Sequence, residues 1–242
     1  MPSTEPSTSS STDDTLDLRL PDELAALIAQ ECAALARAAG PPGAVPPRRP
    51  TGPDLLDDIA AWAPAPTRSG PFELVPVRID RDLPLITRWM NDPAVAAFWE
   101  LDGPDEIAAA HLRAQLGGDG RSVPCLGVLD GTPMSFWEVY RADLDLLARH
   151  YPARPHDTGL HLLIGDVADR GRGFGTSLLR TVSDLVLDNR PSCGRVVAEP
   201  DLRNTPSVAA FLGAGFRFSS EIDLPDKRAA LMIRDRTLRH LQ

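Results

Sequence analysis

The sequence has no basic run longer than two residues, as at Arg48 and Arg49, and its 25 Lys and Arg are outnumbered by 34 Asp and Glu, for a net charge of −9. That balance repels polyanions, which excludes nucleic acid and anionic membrane as partners and leaves small-molecule chemistry. Cysteine is scarce. Cys32, Cys125 and Cys193 are odd in number and widely spaced, so neither a disulfide framework nor a metal-ligand rhythm is available, and reduced thiols in a cytoplasmic protein are expected. No apolar run reaches transmembrane length, and residues 1–14 lack the basic and apolar regions of a secretory signal. Secretion and membrane spanning are not expected.

What is present begins with a polar, low-complexity stretch over residues 1–19, too poor in apolar surface to offset the entropy of ordering, and therefore expected to be disordered. Pro21, Asp22 and Glu23 then open a short amphipathic helix, with Leu24, Leu27, Ile28 and Leu35 at helical spacing and Gly40 as its stop. Such a helix packs on the main domain or on the mate of a homodimer. Six prolines in 40–53 read as a semi-rigid linker, and a second Pro-rich piece spans 63–71 after the short apolar stretch 55–62. The expected organisation is an N-terminal extension over 1–71 and a catalytic domain over 72–242.

Within that domain the pattern alternates. Strands are predicted at 72–78, 122–129, 133–140, 157–167, 195–199, 216–222 and 229–234, helices at 83–90, 104–115, 176–188 and 207–212, and a short helix or turn at 93–99, with Gly131 turning a hairpin. The class is α/β with a mixed sheet and no internal repeat.

The strongest local signal is an apolar strand, Leu162-Leu163-Ile164, followed by Arg170-Gly171-Arg172-Gly173-Phe174-Gly175 and a helix. A helix N-terminus carries unpaired N–H groups and partial positive charge, so it holds a phosphate wherever glycines admit close approach. A dinucleotide turn would place its third glycine at position 176, which is Thr176, and no repeated βαβ unit surrounds it. Arg170, Gly173 and Gly175, in the pattern Arg-x-x-Gly-x-Gly, resemble instead the coenzyme A loop of the GNAT superfamily.

The resemblance extends along 72–242 through Phe136-Trp137-Glu138-Val139-Tyr140, the strand bearing His161, the segment from Arg195 to Asn204, and Gly215-Phe216. It is similar to the siderophore-biosynthesis branch, the N-acyltransferases of hydroxylysine, hydroxyornithine or hydroxycadaverine. The resemblance implies a GNAT fold, acyl-CoA as co-substrate with acetyl or succinyl as the acyl group, and an N-hydroxylated diamine or amino acid as acceptor. It places the catalytic pair on His161 and Asp201. Cofactor contacts fall on Ile164, Val167, Arg170, Gly171, Arg172, Gly173, Gly175 and Asn204, and substrate contacts on Trp137, Glu138 and Tyr140. No metal is implied.

The residues themselves leave choices open. His161 lies nine residues before Arg170, and a strand rising about 3.3 Å per residue carries it far from the pyrophosphate, toward the reacting thioester. An imidazole with an ordinary pKa near 6.5 takes a proton at neutral pH; a histidine among leucines is also a common core residue. Asp201 orients the imidazole, holds the acceptor amine, or merely makes a turn with Pro200. Asn204 bonds the pantetheine arm or caps a helix. Glu138 and Tyr140 share one strand face, toward an acceptor or toward solvent. The segment from Ile86 to Val95 also resembles aminoglycoside N-acetyltransferases, and a non-catalytic CoA-binding module is the remaining alternative.

Overall fold

The computed structural model describes Leu56 and residues 59–239. The expected disordered stretch 1–19, the helix near 21–39 and the linker 40–53 lie outside the described residues. The core of the molecule is an eight-stranded mixed sheet of β1 (Ala65–Thr67), β2 (Gly70–Pro76), β3 (Ser122–Leu129), β4 (Thr132–Arg141), β5 (Thr158–Ile164), β6 (Arg195–Ala198), β7 (Arg217–Asp223) and β8 (Arg228–Asp235). Their order across the sheet is β1-β2-β3-β4-β5-β6-β8-β7. Among the described residues five helices accompany it, α1 (Ile79–Met90), α2 (Pro93–Trp99), α3 (Asp105–Leu116), α4 (Phe174–Asn189) and α5 (Thr205–Gly213).

The register is set by period-2 patterning and turn chemistry. Asp130 and Gly131, at φ of 47° and 77°, form a two-residue loop with both central residues left-handed, which matches the twist of the hairpin β3–β4 and aligns Leu129 with Thr132. Along the central strand β4, Trp137 and Val139 point to one face, into a core shared with Leu178, Leu179 and Val182 of α4 and Phe211 of α5. Phe136 points to the other face, into a core with Ile86, Trp89 and Met90 of α1 and Leu112 of α3. Both faces of β4 are therefore covered, and its residues from Met134 to Arg141 are buried.

The domain starts earlier than Phe72. Leu56, Ile59 and Trp62 are buried in the core beneath α4, and β1 pairs with β2 through Ala65↔Phe72, Pro66↔Pro71 and Thr67↔Gly70. The prolines of 63–71 concealed this strand because proline reads as linker, yet an edge strand accepts residues that donate no ladder hydrogen bond.

One feature of the sheet prepares the site. β5 and β6 run parallel and pair only at Thr158↔Val196 and Gly159↔Val197, after which they separate. Beyond that point β5 stays paired to β4 on its other side as far as Ile164.

Candidate active site

The strands part toward the turn before α4. Gly173 sits at the N-cap with φ of 79°, and Gly171 has φ of 71°, conformations that cost an L side chain about 1–2 kcal/mol. None of the six backbone N–H groups from Gly171 to Thr176 finds a backbone acceptor among the described residues. They converge with the dipole of a 16-residue helix, an anion site made of backbone. A cavity of about 620 Å³ runs from Gly171, Gly173 and Gly175 along Leu162 to Asn204.

Arg170 lines this cavity and also braces the turn. Its guanidinium donates to the carbonyls of Ile164 (3.0 Å) and Gly165 (2.6 Å) and to Asp92 at the N-cap of α2 (2.9 Å), so it ties the turn to the end of β5. Its charge is spent inside the scaffold. Arg172 is exposed and lies over the Phe174 ring, beside the turn. Ile164 lines the cavity, whereas Val167 is exposed on the short helical turn Val167–Asp169 and does not line it. Asn204 caps α5 by accepting from Ser207 N–H at 3.1 Å and lines the cavity as well; the two readings of this residue coexist, because the cap uses only Oδ1.

A second cavity, about 300 Å³, shares Phe98, Trp99, Leu162, Asn204, Ser207 and Phe211 with the first and contains His161. His161 stands directly opposite Glu138 across β4 and β5, and Nδ1 lies 2.8 Å from Glu138 Oε2. In the parallel register His161 and Glu199 each lie two residues past the pair Gly159↔Val197, so they share a face, and Nε2 meets Glu199 Oε1. Tyr140 packs over Gly159, where a Cβ would lie 2.1 Å from its ring, and its hydroxyl donates to Glu199 Oε2 at 2.7 Å. Glu138 Oε1 is held by His111 Nε2 and Gln115 Nε2, both at 2.5 Å, and the Ser122 hydroxyl donates to Gln115 Oε1 at 2.8 Å.

Carboxylates only accept, so an imidazole between two of them donates from both nitrogens and carries a positive charge. Burial alone would lower its pKa, but the Glu199 charge and the hydrogen bonds of Glu138 and Glu199 outweigh burial and push His161 up to about 10. Burial would likewise raise both carboxylates; instead His161 holds Glu199 down to about 2, and His111 with His161 holds Glu138 well below the usual range. Tyr140 is pushed upward by burial and by Glu199 and stays protonated. The ordinary imidazole expected from sequence is thus replaced by an imidazolium, with a third of its side chain open to the cavity.

The other expected residues divide. Glu138 and Tyr140 belong to the cluster. Trp137 does not: it is fully buried, edge-on to Phe72, with its indole N–H donating to Ser135 at 2.9 Å, and it is a core residue out of reach of any substrate. Asp201 lines the cavity, but its carboxylate is gripped by the Arg203 guanidinium (2.7 Å) and backbone N–H (2.7 Å), and Glu138 and Glu199 orient the imidazole in its place. Glu199 and His111 are the members of this cluster that the sequence does not single out. In sequence Glu199 is only the last residue of a strand, and the parallel register is what brings it to face His161.

Residues 78–224 match the family model described as "Acetyltransferase (GNAT) domain". The chain is 39% identical to a lysine N-acyltransferase MbtK of Mycolicibacterium paratuberculosis over 184 residues, covering 75% of this chain and 82% of that protein. It is 40% identical to an N(6)-hydroxylysine O-acetyltransferase of Escherichia coli over 64% of this chain and 49% of that one. The solved structure of an aminoglycoside acetyltransferase AAC(6')-Ib in complex with coenzyme A superposes with a TM-score of 0.61 at 22% identity, covering 69% of this chain and 95% of that one. At that identity the likeness concerns the fold.

Proposed function

The chain belongs to the GNAT acetyltransferase family and is an acyl-CoA-dependent N-acyltransferase, and from that premise we propose that it acylates the hydroxylamine nitrogen of an N-hydroxylated diamine or amino acid in hydroxamate siderophore biosynthesis, with acetyl-CoA or succinyl-CoA as donor. The observation that carries this reading is the junction of the two cavities. The backbone anion site at Gly171 to Gly175 anchors the pyrophosphate, and the pantetheine arm follows the parting of β5 and β6 past Asn204. The thioester then arrives beside His161. The relatives that the chain matches at 39–40% identity bear the names of lysine and hydroxylysine acyltransferases.

The chemistry fits a weakly basic nucleophile. An alkylamine is protonated at neutral pH and needs a strong base before it attacks, whereas a hydroxylamine nitrogen is already neutral there. As its lone pair forms the C–N bond, the nitrogen loses a proton, the C–S bond breaks, and the CoA thiolate gains a proton. In the free enzyme His161 already holds its proton, so it serves as the acid. Glu199 accepts the N–H of the acceptor, His161 delivers its Nε2 proton to the departing sulfur, and the proton taken up by Glu199 restores the imidazolium. Low-dielectric burial of both carboxylates and the bond from Tyr140 keep this relay fixed in position. Asp201, neutralised by Arg203, forms the adjoining wall.

The test is CoA release measured in parallel on N-hydroxylysine, N-hydroxyornithine, N-hydroxycadaverine, the corresponding unhydroxylated amines and an aminoglycoside. Turnover of at least one hydroxylamine well above that of its parent amine is expected. Preference for the aminoglycoside would overturn the proposal.

A further inference from the structure

The chain contains one lysine, Lys227. It ends the connection 224–227 between β7 and β8, which is closed by the Leu224 N–H donating to the Lys227 carbonyl at 2.9 Å. Lys227 and Asp226 both line the cavity that holds His161, and the Lys227 Nζ stands 3.9 Å from Glu199 Oε1. That separation exceeds hydrogen-bonding distance. Glu199 is supplied without it, by Tyr140 on Oε2 and His161 on Oε1. The other carboxylates deep in the cavity also have partners, Glu138 in His161, His111 and Gln115, and Asp201 in Arg203.

The lysine ammonium is thus ion-paired with Glu199 across the cavity but makes no hydrogen bond to it, and its side chain is only 23% exposed. An ammonium is a compact and strongly hydrated charge with three donors, and beyond hydrogen-bonding distance of Glu199 those donors stay open to an anion that enters the cavity. We propose that Lys227 anchors a carboxylate carried by a substrate, an inference that rests on the hydroxylamine acylation proposed above. The carboxylate belongs to the head group of an N-hydroxylated amino acid or to a dicarboxylic acyl group such as succinyl. The neighbouring Asp226 offers the opposite charge, and the pair complements the zwitterionic head of an amino acid. A diamine acylated from acetyl-CoA brings no carboxylate to this point.

The experiment measures kcat/KM for N-hydroxylysine and N-hydroxycadaverine, each with acetyl-CoA and with succinyl-CoA, in the wild-type protein, Lys227→Met and Lys227→Arg. In Lys227→Met the ratio of hydroxylysine to hydroxycadaverine is expected to fall at least about 10-fold with either donor, mainly through KM, with most of the ratio restored in Lys227→Arg. A fall that follows succinyl-CoA with both acceptors assigns the carboxylate to the acyl group and also supports the anchor. Equal changes in all four combinations, or none, overturn the anchor while leaving hydroxylamine acylation standing. Absence of hydroxylamine turnover in the wild-type protein overturns the functional reading and the anchor with it.

Discussion

At the scale of single residues, the site is governed by one positive charge between two buried carboxylates. Removing His161 outright leaves Glu138 and Glu199 without their common cation, a change that costs about 3–5 kcal/mol when a buried pair is broken. His161→Gln keeps a polar side chain there without the transferable proton. It is expected to lower kcat by roughly 10² while the acyl-CoA Kd, measured by calorimetry, changes little. Wild-type kcat in that variant would remove His161 from the chemistry.

The same residue makes stability depend on pH in a stated direction. His161 is raised from 6.5 to about 10 on folding, so its contribution is complete below pH 6.5 and is lost as the pH climbs through about 10. Glu199 is lowered, so its contribution is present above its unfolded value and is lost as the pH falls through about 2. Thermal denaturation followed from pH 6.5 to 10 should show Tm declining, and Glu199→Gln should flatten that decline by lowering the folded pKa of His161. An unchanged slope in the variant would mean that Glu199 does not hold the proton.

At the scale of elements, the turn into α4 was legible because its chemistry is local. Three glycines at a strand-to-helix transition serve backbone N–H groups, and no distant residue is needed to recognise them. A Cβ at Gly173 meets nothing within 4 Å, so a substitution there strains the φ of 79° and stands in the ligand's path without disturbing the protein around it. Gly173→Val is accordingly expected to weaken acyl-CoA binding by 10-fold or more in calorimetry, with the circular dichroism spectrum retained. Unaltered affinity would move the pyrophosphate elsewhere. Arg170 was legible as part of the motif, but its bracing of the turn was not, since its partners Asp92 and the carbonyls of Ile164 and Gly165 come from the end of β5 and the start of α2.

At the scale of the whole molecule, the boundary of the catalytic unit is set by burial. Leu56, Ile59 and Trp62 are almost fully buried, each worth about 1.5–3 kcal/mol to the core. A chain beginning at residue 53 is expected to keep its kcat, whereas one beginning at Phe72 loses these three side chains and β1 and should melt at a much lower temperature or fail to fold. Equal Tm values for the two would show that the early segment is only an appendage. A soluble, folded chain from residue 53 without activity would place the first 52 residues in the site.

The sequence by itself determined the alternating elements, the glycine turn and the imidazole strand, because each is written in local periodicity or in residues a few positions apart. It also placed Glu138 and Tyr140 on a common face, since side chains alternate along any strand. What it left open required pairing between distant segments. That Trp137 lies in the core while Glu138 faces a cavity depends on which face of β4 the helices α4 and α5 cover. That Glu199, and not Asp201, meets His161 depends on the two-residue parallel register between β5 and β6. The charge on His161 follows from that register, because a protonation state is set by the groups within hydrogen-bonding distance, and only the tertiary structure brings residues 138, 161 and 199 together.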